Sequence, residues 1–539
     1  MKTKFFSLAI LILIFILWIT PGLFGRDPWK ADEPYTVGLV NHIVQTGDLV
    51  VPTLTGEPFL EKPPIFFITA AGFGKLLSPP FELYDASRLA TALFMALTLL
   101  FIALAARELY GKKYAPVAFI LLIGCMHLQE NAHKLITDVA LLAGFAIALY
   151  GLALSRRLSK SGGFWIGTGT GIGFLSKGLL APGILGLIAL VLLFFPLWRR
   201  KEYFVSLGIA ALAALPWFII WPAALYFRSP DLFVEWFWYQ NLGRFLGFAR
   251  GGSQDPHSYY VINLIWIAWP VILPALWSIW HFRKSWKDHP LFQIPLVASI
   301  AILGVLSASS STRALYALPA LLPLTLVAAS GIFMIPERAK RIANPIILAL
   351  FTLLAIILWI GWFAFITGSP AFLAQKLHAF QPDYIPCVNA LLLSIAVCYT
   401  LAWIIVVLKV TRDHEYAVIN WTLGIVMAWG LIMTLWLPPL NAGSSYRAAF
   451  TELQKNLPEK FICLDSQGLG ESERGMLEYF TGIKPLRIGG SGNCDMLLEQ
   501  RGSEQQPSVV PTGWEKIWEF RRPSIKPKDI FTLYKKTLP

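Results

Sequence analysis

Apolar runs of roughly 20 residues recur along most of this chain, separated by short polar connections. That is the length a helix needs to cross a bilayer. The alternating segments of about 10 residues that mark a membrane β-barrel do not occur. The pattern predicts a multi-span helical membrane protein. It breaks near residue 440, so 1–440 reads as a membrane domain and 441–539 as a polar tail. Within the tail, SYRAAFTELQKNL and SERGMLEYFTG have amphipathic helical spacing, and KFICLD, CDMLLEQ, WEKIWEF and DIFTLYKK have strand character. These elements suggest a small α/β domain outside the membrane.

Two connections are too long to be plain turns, and loops of this size usually carry function or lie on a surface. The first, 26–88, contains a helical stretch, EPYTVGLVNHIVQTG, and the rigid segment LTGEPFLEKPPIFF. The second, 228–260, contains EWFWYQNLGRFLG, which reads as an interfacial helix with an aromatic belt. The GGSQDP stretch after it reads as a flexible turn.

Composition agrees with the pattern. The 539 residues are 56% hydrophobic and 14% charged, against about 25% charged in soluble chains. The net charge of +13 invites a nucleic-acid reading, but its placement argues otherwise. Basic connections (MKTK, 107–113, 155–160, 198–202, 281–287, 336–341 and 409–415) alternate with mixed ones (26–88, 127–137, 176–178, 228–260, 307–313 and 368–386). Lys and Arg stay cytoplasmic, so this alternation predicts about thirteen spans, the N-terminus inside and the C-terminus outside. The positive excess is topological, and no nucleic-acid partner is expected. The first segment, FFSLAILILIFILWITPGLF, is too long for a signal-peptide core and no A-x-A-like site follows it, so it reads as an uncleaved first span. Cys125 and Cys398 fall inside spans as small buried hydrophobes. Cys387 lies at a membrane boundary. Cys463 and Cys494 fall in the external tail, where a disulfide is permitted but not dictated. The absence of a repeat of fixed period weighs against a transporter built from duplicated halves.

The ionisable residues of the membrane part gather at the outer ends of the spans: Asp32 and Glu33; Glu61 and Lys62; His133, Lys134 and Asp138; Lys177; His257; Arg313. Charges near the hydrocarbon boundary are costly unless they face a watered cavity or a ligand. His133 and Arg88 read as interfacial residues in water. Lys177 is held close to the bilayer by its short loop. Pro63 and Pro64 each fix φ near about −65° and stiffen the backbone beneath Glu61-Lys62. Together the set describes an outward-facing pocket of interleaved acids and bases. A carboxylate there can take a proton from an incoming hydroxyl or amine. Lysines and an arginine can hold an anionic leaving group such as phosphate. Inverting sugar transfer from a lipid-linked phosphate needs this inventory at a bilayer's edge.

The run ADEPYTVGLVNHIVQTGDLVVPTLTGEPFLEKPPIFF resembles the first outer loop of the bacterial lipid A aminoarabinose transferases and the related protein O-mannosyltransferase superfamily. These are GT-C-fold glycosyltransferases that use polyprenyl-phosphate-linked sugars. The motifs are DE (Asp32-Glu33), GD-x-x-x-P (Gly47-Asp48 to Pro52) and EKPP (Glu61 to Pro64), in order and at the family's spacing. GFLSKG, DPHSYY, TRALYALPALLPL and the tail also fit. The resemblance implies an α-helical polytopic membrane protein of GT-C fold with a small C-terminal α/β extracytoplasmic domain. It implies that Asp32 is the catalytic base, supported by Glu33, with Asp138 as a second functional acid. Lys62 would bind the phosphate of the lipid carrier, with Lys177 and Arg313 as further contacts, although relatives often carry Lys at the position of Arg313. Glu61 and His257 would complete the substrate site. Those two side chains could hold a divalent metal ion, but two ligands make a poor site and no metal is assigned. The expected partners are a polyprenyl-phosphate-linked sugar donor, membrane lipids, and a lipid, protein or glycan acceptor. A transporter or flippase of lipid-linked sugars, which needs polar sites near mid-membrane, is the alternative, as is a surface polysaccharide ligase or polymerase.

Overall fold

A computed structural model describes residues 7–243, 246, 258–309, 312–380, 384–410, 416–488, 493–502, 512–522 and 529–537. Seven helices among them are long and apolar enough to cross a membrane: Leu83–Tyr110, Lys201–Arg228, Pro290–Ala308, Ala314–Met334, Glu337–Thr367, Ala390–Leu408 and Ala417–Leu435. Five shorter apolar helices accompany them: Leu8–Ile19, Ile65–Leu77, Asp138–Leu154, Leu180–Leu192 and Ile272–Phe282. The architecture is thus a polytopic helical membrane protein. Cys125 is buried as expected, whereas Cys398, within helix Ala390–Ile405, is exposed.

One helical hairpin sets the geometry of the charged residues. Helix Asp138–Leu154 turns back into helix Ser159–Lys177, so the first residue of one and the last of the other lie at the same end. Glycines let the two backbones touch. A Cβ on Gly144 would lie 2.7 Å from the Gly169 carbonyl oxygen, and one on Gly169 would lie 2.5 Å from the Ala148 nitrogen. Small residues at such crossings permit close packing inside a membrane.

The first long connection is ordered. Helix Asp32–Thr46 ends at Gly47, whose φ of +72° closes it, a left-handed position that costs glycine nothing. Asp48 then accepts the backbone N–H groups of Val50 (2.9 Å) and Val51 (3.3 Å) and pairs with Arg228 at 2.6 Å. A two-residue hairpin follows, β1 (Thr53–Leu54) against β2 (Glu57–Pro58). Its turn residues Thr55 and Gly56 both have positive φ, as a type I′ turn demands. The chain then passes through Glu61-Lys62-Pro63-Pro64 into helix Ile65–Leu77.

The tail contains helices Arg447–Asn456 and Glu471–Thr481 and the strands β3 (Leu464–Gln467), β4 (Leu486–Arg487), β5 (Met496–Gly502), β6 (Trp514–Arg521) and β7 (Asp529–Lys536). The strands form one sheet in the order β4-β3-β5-β7-β6. β3 runs parallel to β4 and β5, and β7 runs antiparallel to β5 and β6. A Cys463–Cys494 disulfide joins the residues just before β3 and β5, with Cα atoms 4.7 Å apart.

The tail sits on the first connection. Helix Glu471–Thr481 packs against helix Asp32–Thr46, where a Cβ on Gly38 would come within 3.2 Å of the Gly475 Cα. Ser472 donates to the Ala31 carbonyl at 2.6 Å. Glu473 accepts from Lys30 (2.8 Å) and from the Tyr446 hydroxyl (2.6 Å). The buried Arg474 pairs with Glu57 at 2.9 Å and donates to Thr55 at 2.7 Å.

Candidate active site

Seven side chains from five parts of the chain form one connected polar cluster. Asp32 opens helix Asp32–Thr46, where the helix dipole favours a carboxylate. Tyr35, one turn on, donates its hydroxyl to Asp32 Oδ1 at 3.2 Å. Lys62, carried beside it by the EKPP segment, donates to the same Tyr35 oxygen and lies 5.0 Å over the Tyr35 ring. The phenol therefore bridges the acid and the lysine. On the other side Arg313 pairs with Asp32 Oδ2 at 3.1 Å and faces the Tyr316 ring at 5.7 Å. Lys177 lies over that ring at 3.9 Å and forms an ion pair with Asp138. The helical hairpin described above is what brings those last two together. Tyr260 fixes the Arg313 backbone, donating to its carbonyl and accepting from its N–H, each at 3.1 Å.

The electrostatics follow from burial and sign. Burial pushes the Asp32 carboxyl up, but Lys62, Arg313 and Lys177 outweigh it and hold Asp32 below the ordinary value. It is a carboxylate at neutral pH. Lys62 is only 5% exposed. Burial acts to lower its ammonium, yet its bond to Tyr35 and the field of Asp32, Glu61 and Asp138 hold it well above the ordinary value. Among the described residues no carboxylate lies within ion-pair distance of Lys62. The nearby carboxylates thus keep Lys62 charged from longer range, and its ammonium can meet an arriving anion directly. Asp138 Oδ2 is buried and has no hydrogen-bond partner among the described residues, which leaves an acceptor for a ligand hydroxyl or amine.

Of the residues singled out from sequence, Asp32, Lys62, Asp138, Lys177 and Arg313 thus meet in one place. Glu61 is half-buried and adds its negative field to Lys62 and Tyr35. His257 lies outside the described residues, so the Glu61–His257 pairing does too. Among the described residues no group of three or more His, Cys, Asp or Glu side chains comes together as a metal site.

Glu33 faces elsewhere. Its carboxylate, 1% exposed, binds Arg26 through two contacts of 2.5 and 2.8 Å and Arg88 at 3.2 Å. It also accepts the backbone N–H groups of Trp29 (3.1 Å) and Leu135 (2.9 Å). The direct support of Asp32 expected of Glu33 is replaced by a buried scaffold of Arg26, Glu33, Arg88 and Asp85. Arg88 and His133, read as interfacial residues in water, belong to this interior. Arg88 is fully buried, and His133 is enclosed between the Trp18 and Trp429 rings.

The sequence reading missed Tyr35, Tyr316 and Tyr260. Tyr35 and Tyr316 each stand three residues after a charged partner (DEPY, RALY), the spacing that places two side chains on one helical face. It also missed Asn241 in the second long connection. Residues Glu235–Gly243 form a π-helical segment that buries Trp236 against Trp221 and Phe174 and leaves Trp238 and Tyr239 exposed. From it Asn241 accepts the Leu179 N–H at 3.0 Å, directly behind Lys177 and Gly178.

Comparisons with known proteins find sequence relatives for part of the chain and a fold match for nearly all of it. The family model for dolichyl-phosphate-mannose-protein mannosyltransferases matches residues 61–221, which begin at Glu61 and include Lys62, Asp138 and Lys177. An undecaprenyl phosphate-α-4-amino-4-deoxy-L-arabinose arabinosyl transferase of Pseudomonas fluorescens is 27% identical over 336 residues, 59% of this chain and 56% of that protein. Its counterpart in Pseudomonas aeruginosa is 29% identical over 334 residues, 59% of this chain and 58% of that protein. The matched stretch thus spans less than two thirds of these curated relatives. The crystal structure of ArnT from Cupriavidus metallidurans bound to undecaprenyl phosphate superposes with a TM-score of 0.72 at 16% identity, covering 99% of this chain and 98% of that one. The chain thus shares the fold of that transferase structure, and over part of its length it is similar in sequence to aminoarabinose transferases and to the protein mannosyltransferase family model.

Proposed function

We propose that the protein is an integral membrane glycosyltransferase that moves a sugar from a polyprenyl-phosphate donor to a lipid, protein or glycan acceptor, with inversion at the anomeric carbon. The site would lie at the outer face of the cytoplasmic membrane, with the N-terminus inside and the 441–539 domain outside; the alternation of basic connections supports that topology. The names of the aminoarabinose transferase relatives give an undecaprenyl-phosphate-linked sugar as their donor, which supports the donor class of this reading.

Asp32 would take the proton of the acceptor hydroxyl or amine as that atom attacks the anomeric carbon. The bond from that carbon to the phosphate oxygen breaks on the opposite face, and polyprenyl phosphate leaves as an anion. Lys62, with Lys177 and Arg313, would stabilise the departing charge. At rest Arg313 is paired with Asp32 and Lys177 with Asp138. A donor phosphate drawing Arg313 toward itself would release Asp32 and make it a stronger base. Glu61 would border the phosphate position, and Asp138 would orient the sugar or acceptor through its open oxygen.

The observation that carries this reading is the buried Lys62 ammonium, bridged through Tyr35 to Asp32 and without a carboxylate in ion-pair distance among the described residues. It also separates the reading from a flippase, for which such charges are needed near mid-membrane. The test is transfer by purified protein from a labelled polyprenyl-phosphate sugar to candidate acceptors. Lys62→Ala should abolish transfer while the protein still inserts. Asp32→Asn should retain donor binding and lose turnover. Normal transfer by either variant removes the corresponding role.

A further inference from the structure

We propose a second lipid site, at the end of the membrane domain opposite the charged cluster, that takes an anionic phospholipid. A cavity of about 930 Å³ lies between helices Ala115–Ile123, Ile272–Phe282, Glu337–Thr367 and Ala417–Leu435. Its walls are apolar, formed among others by Val117, Leu121, Trp269, Leu273, Phe333 and Ile346. Its basic end is remote from Asp32. Segment Ala314–Met334 begins beside Arg313 and ends in the cavity wall, and 21 residues at about 1.5 Å each span about 30 Å.

Two features define the occupant. The chamber opens between helices whose apolar side chains Leu273, Ile342 and Ile346 are exposed, which in a membrane protein face the acyl chains. Water finds too few polar partners in such walls to fill it, and the size suits a ligand of roughly 300–1,000 Å³. The rim, in contrast, is basic. Lys340 lines the cavity, 2.9 Å from Glu337. Lys113 stands 4.7 Å over the ring of Phe333 in the wall. Lys112, Arg338 and Arg341 are exposed on the same turns. Lys340 in the lining and Lys113 over Phe333 face the single lining acid Glu337, and with Lys112, Arg338 and Arg341 exposed on adjoining turns they favour an anionic headgroup; basic pockets between membrane helices are known lipid headgroup sites. The lipid's chains enter the chamber and its phosphate rests against Lys113 and Lys340. This site does not depend on the transferase reading.

The test uses full-length protein, purified in detergent, stripped of lipid and incubated with mixed micelles of phosphatidylglycerol or phosphatidylcholine, with adducts read by native mass spectrometry. Phosphatidylglycerol should be retained and phosphatidylcholine lost. A Lys113→Gln/Lys340→Gln variant should bind phosphatidylglycerol about thirty-fold more weakly, since a lysine contributes about 1 kcal/mol and 1.4 kcal/mol is tenfold. Ile346→Trp, which intrudes on the chamber, should lower retention of either lipid. If that variant fails to fold, the two surface lysines carry the test alone. Equal retention of the two lipids, or no effect of the lysine variant, overturns the proposal. So does displacement of phosphatidylglycerol by polyprenyl phosphate in stoichiometric competition, which would assign the chamber to the carrier's tail.

Discussion

Removing the Glu33 carboxylate by Glu33→Ala should destabilise the protein before it touches the chemistry. Five donors converge on Glu33: three from Arg26 and Arg88 and two backbone N–H groups. Burial alone would push this carboxyl up, but Arg26 and Arg88 bring it down from the ordinary 4.5 to about 2. That gap is worth about 3 kcal/mol at roughly 1.4 kcal/mol per pH unit. Removing one partner of a buried ion pair costs about 3–5 kcal/mol in general, so two routes give the same size. It is a large part of a total stability of about 5–15 kcal/mol. The sign is fixed by the direction. The folded value lies below the unfolded one, so the contribution is complete above pH 4.5 and is lost as the pH falls from 4.5 toward 2. Thermal unfolding of detergent-solubilised protein, followed by tryptophan fluorescence, checks both statements. At pH 7 the variant should melt well below the wild type, and the difference should shrink on acidification through that window. A variant with the wild-type melting temperature refutes the scaffold role. Lost transfer at unchanged melting temperature would return Glu33 to the chemistry.

Tyr35→Phe removes the bridge between Asp32 and Lys62, a hydrogen bond to a charged group worth about 1.5–3 kcal/mol; transfer should fall about ten- to hundred-fold in steady-state kinetics with the fold intact. Gly178 has φ +63°, and a Cβ there meets the Asn241 side chain, so Gly178→Ala should cost about 1–3 kcal/mol in strain and displace Lys177; weaker donor binding by the variant in a titration would register this. Reducing the Cys463–Cys494 bond opens a loop of 31 residues, which should lower tail stability by about 3–4 kcal/mol and appear as faster limited proteolysis of the 441–539 region.

Much of the site was legible because membrane proteins keep charge out of the bilayer. An ionisable residue at a span end stands out against apolar neighbours, which is how Asp32, Lys62, Asp138, Lys177 and Arg313 were found. The tail helices were equally plain, since amphipathic spacing survives in Arg447–Asn456 and Glu471–Thr481. Spacing could not say which acid looks which way. Asp32 and Glu33 are neighbours in sequence, yet successive residues on a helix point about 100° apart, and only tertiary packing decides that Glu33 meets Arg26 and Arg88. Tyrosines were overlooked because aromatic residues are common at membrane edges. The first span was read as a long apolar run and forms helix only over Leu8–Ile19 among the described residues. Helix length depends on neighbours as well as on hydropathy.

The grip of Ser472 and Glu473 on Ala31 and Lys30 has a consequence for biogenesis. Ribosomes deliver helix Asp32–Thr46 early and its clasp only after the described membrane helices have been made. A nascent chain arrested before Ser472 lacks the contacts that seat the backbone immediately ahead of Asp32. Seating of the segment ahead of Asp32 is thereby tied to translation of the tail, and termination before Ser472 should leave that segment unclasped in an inserted protein.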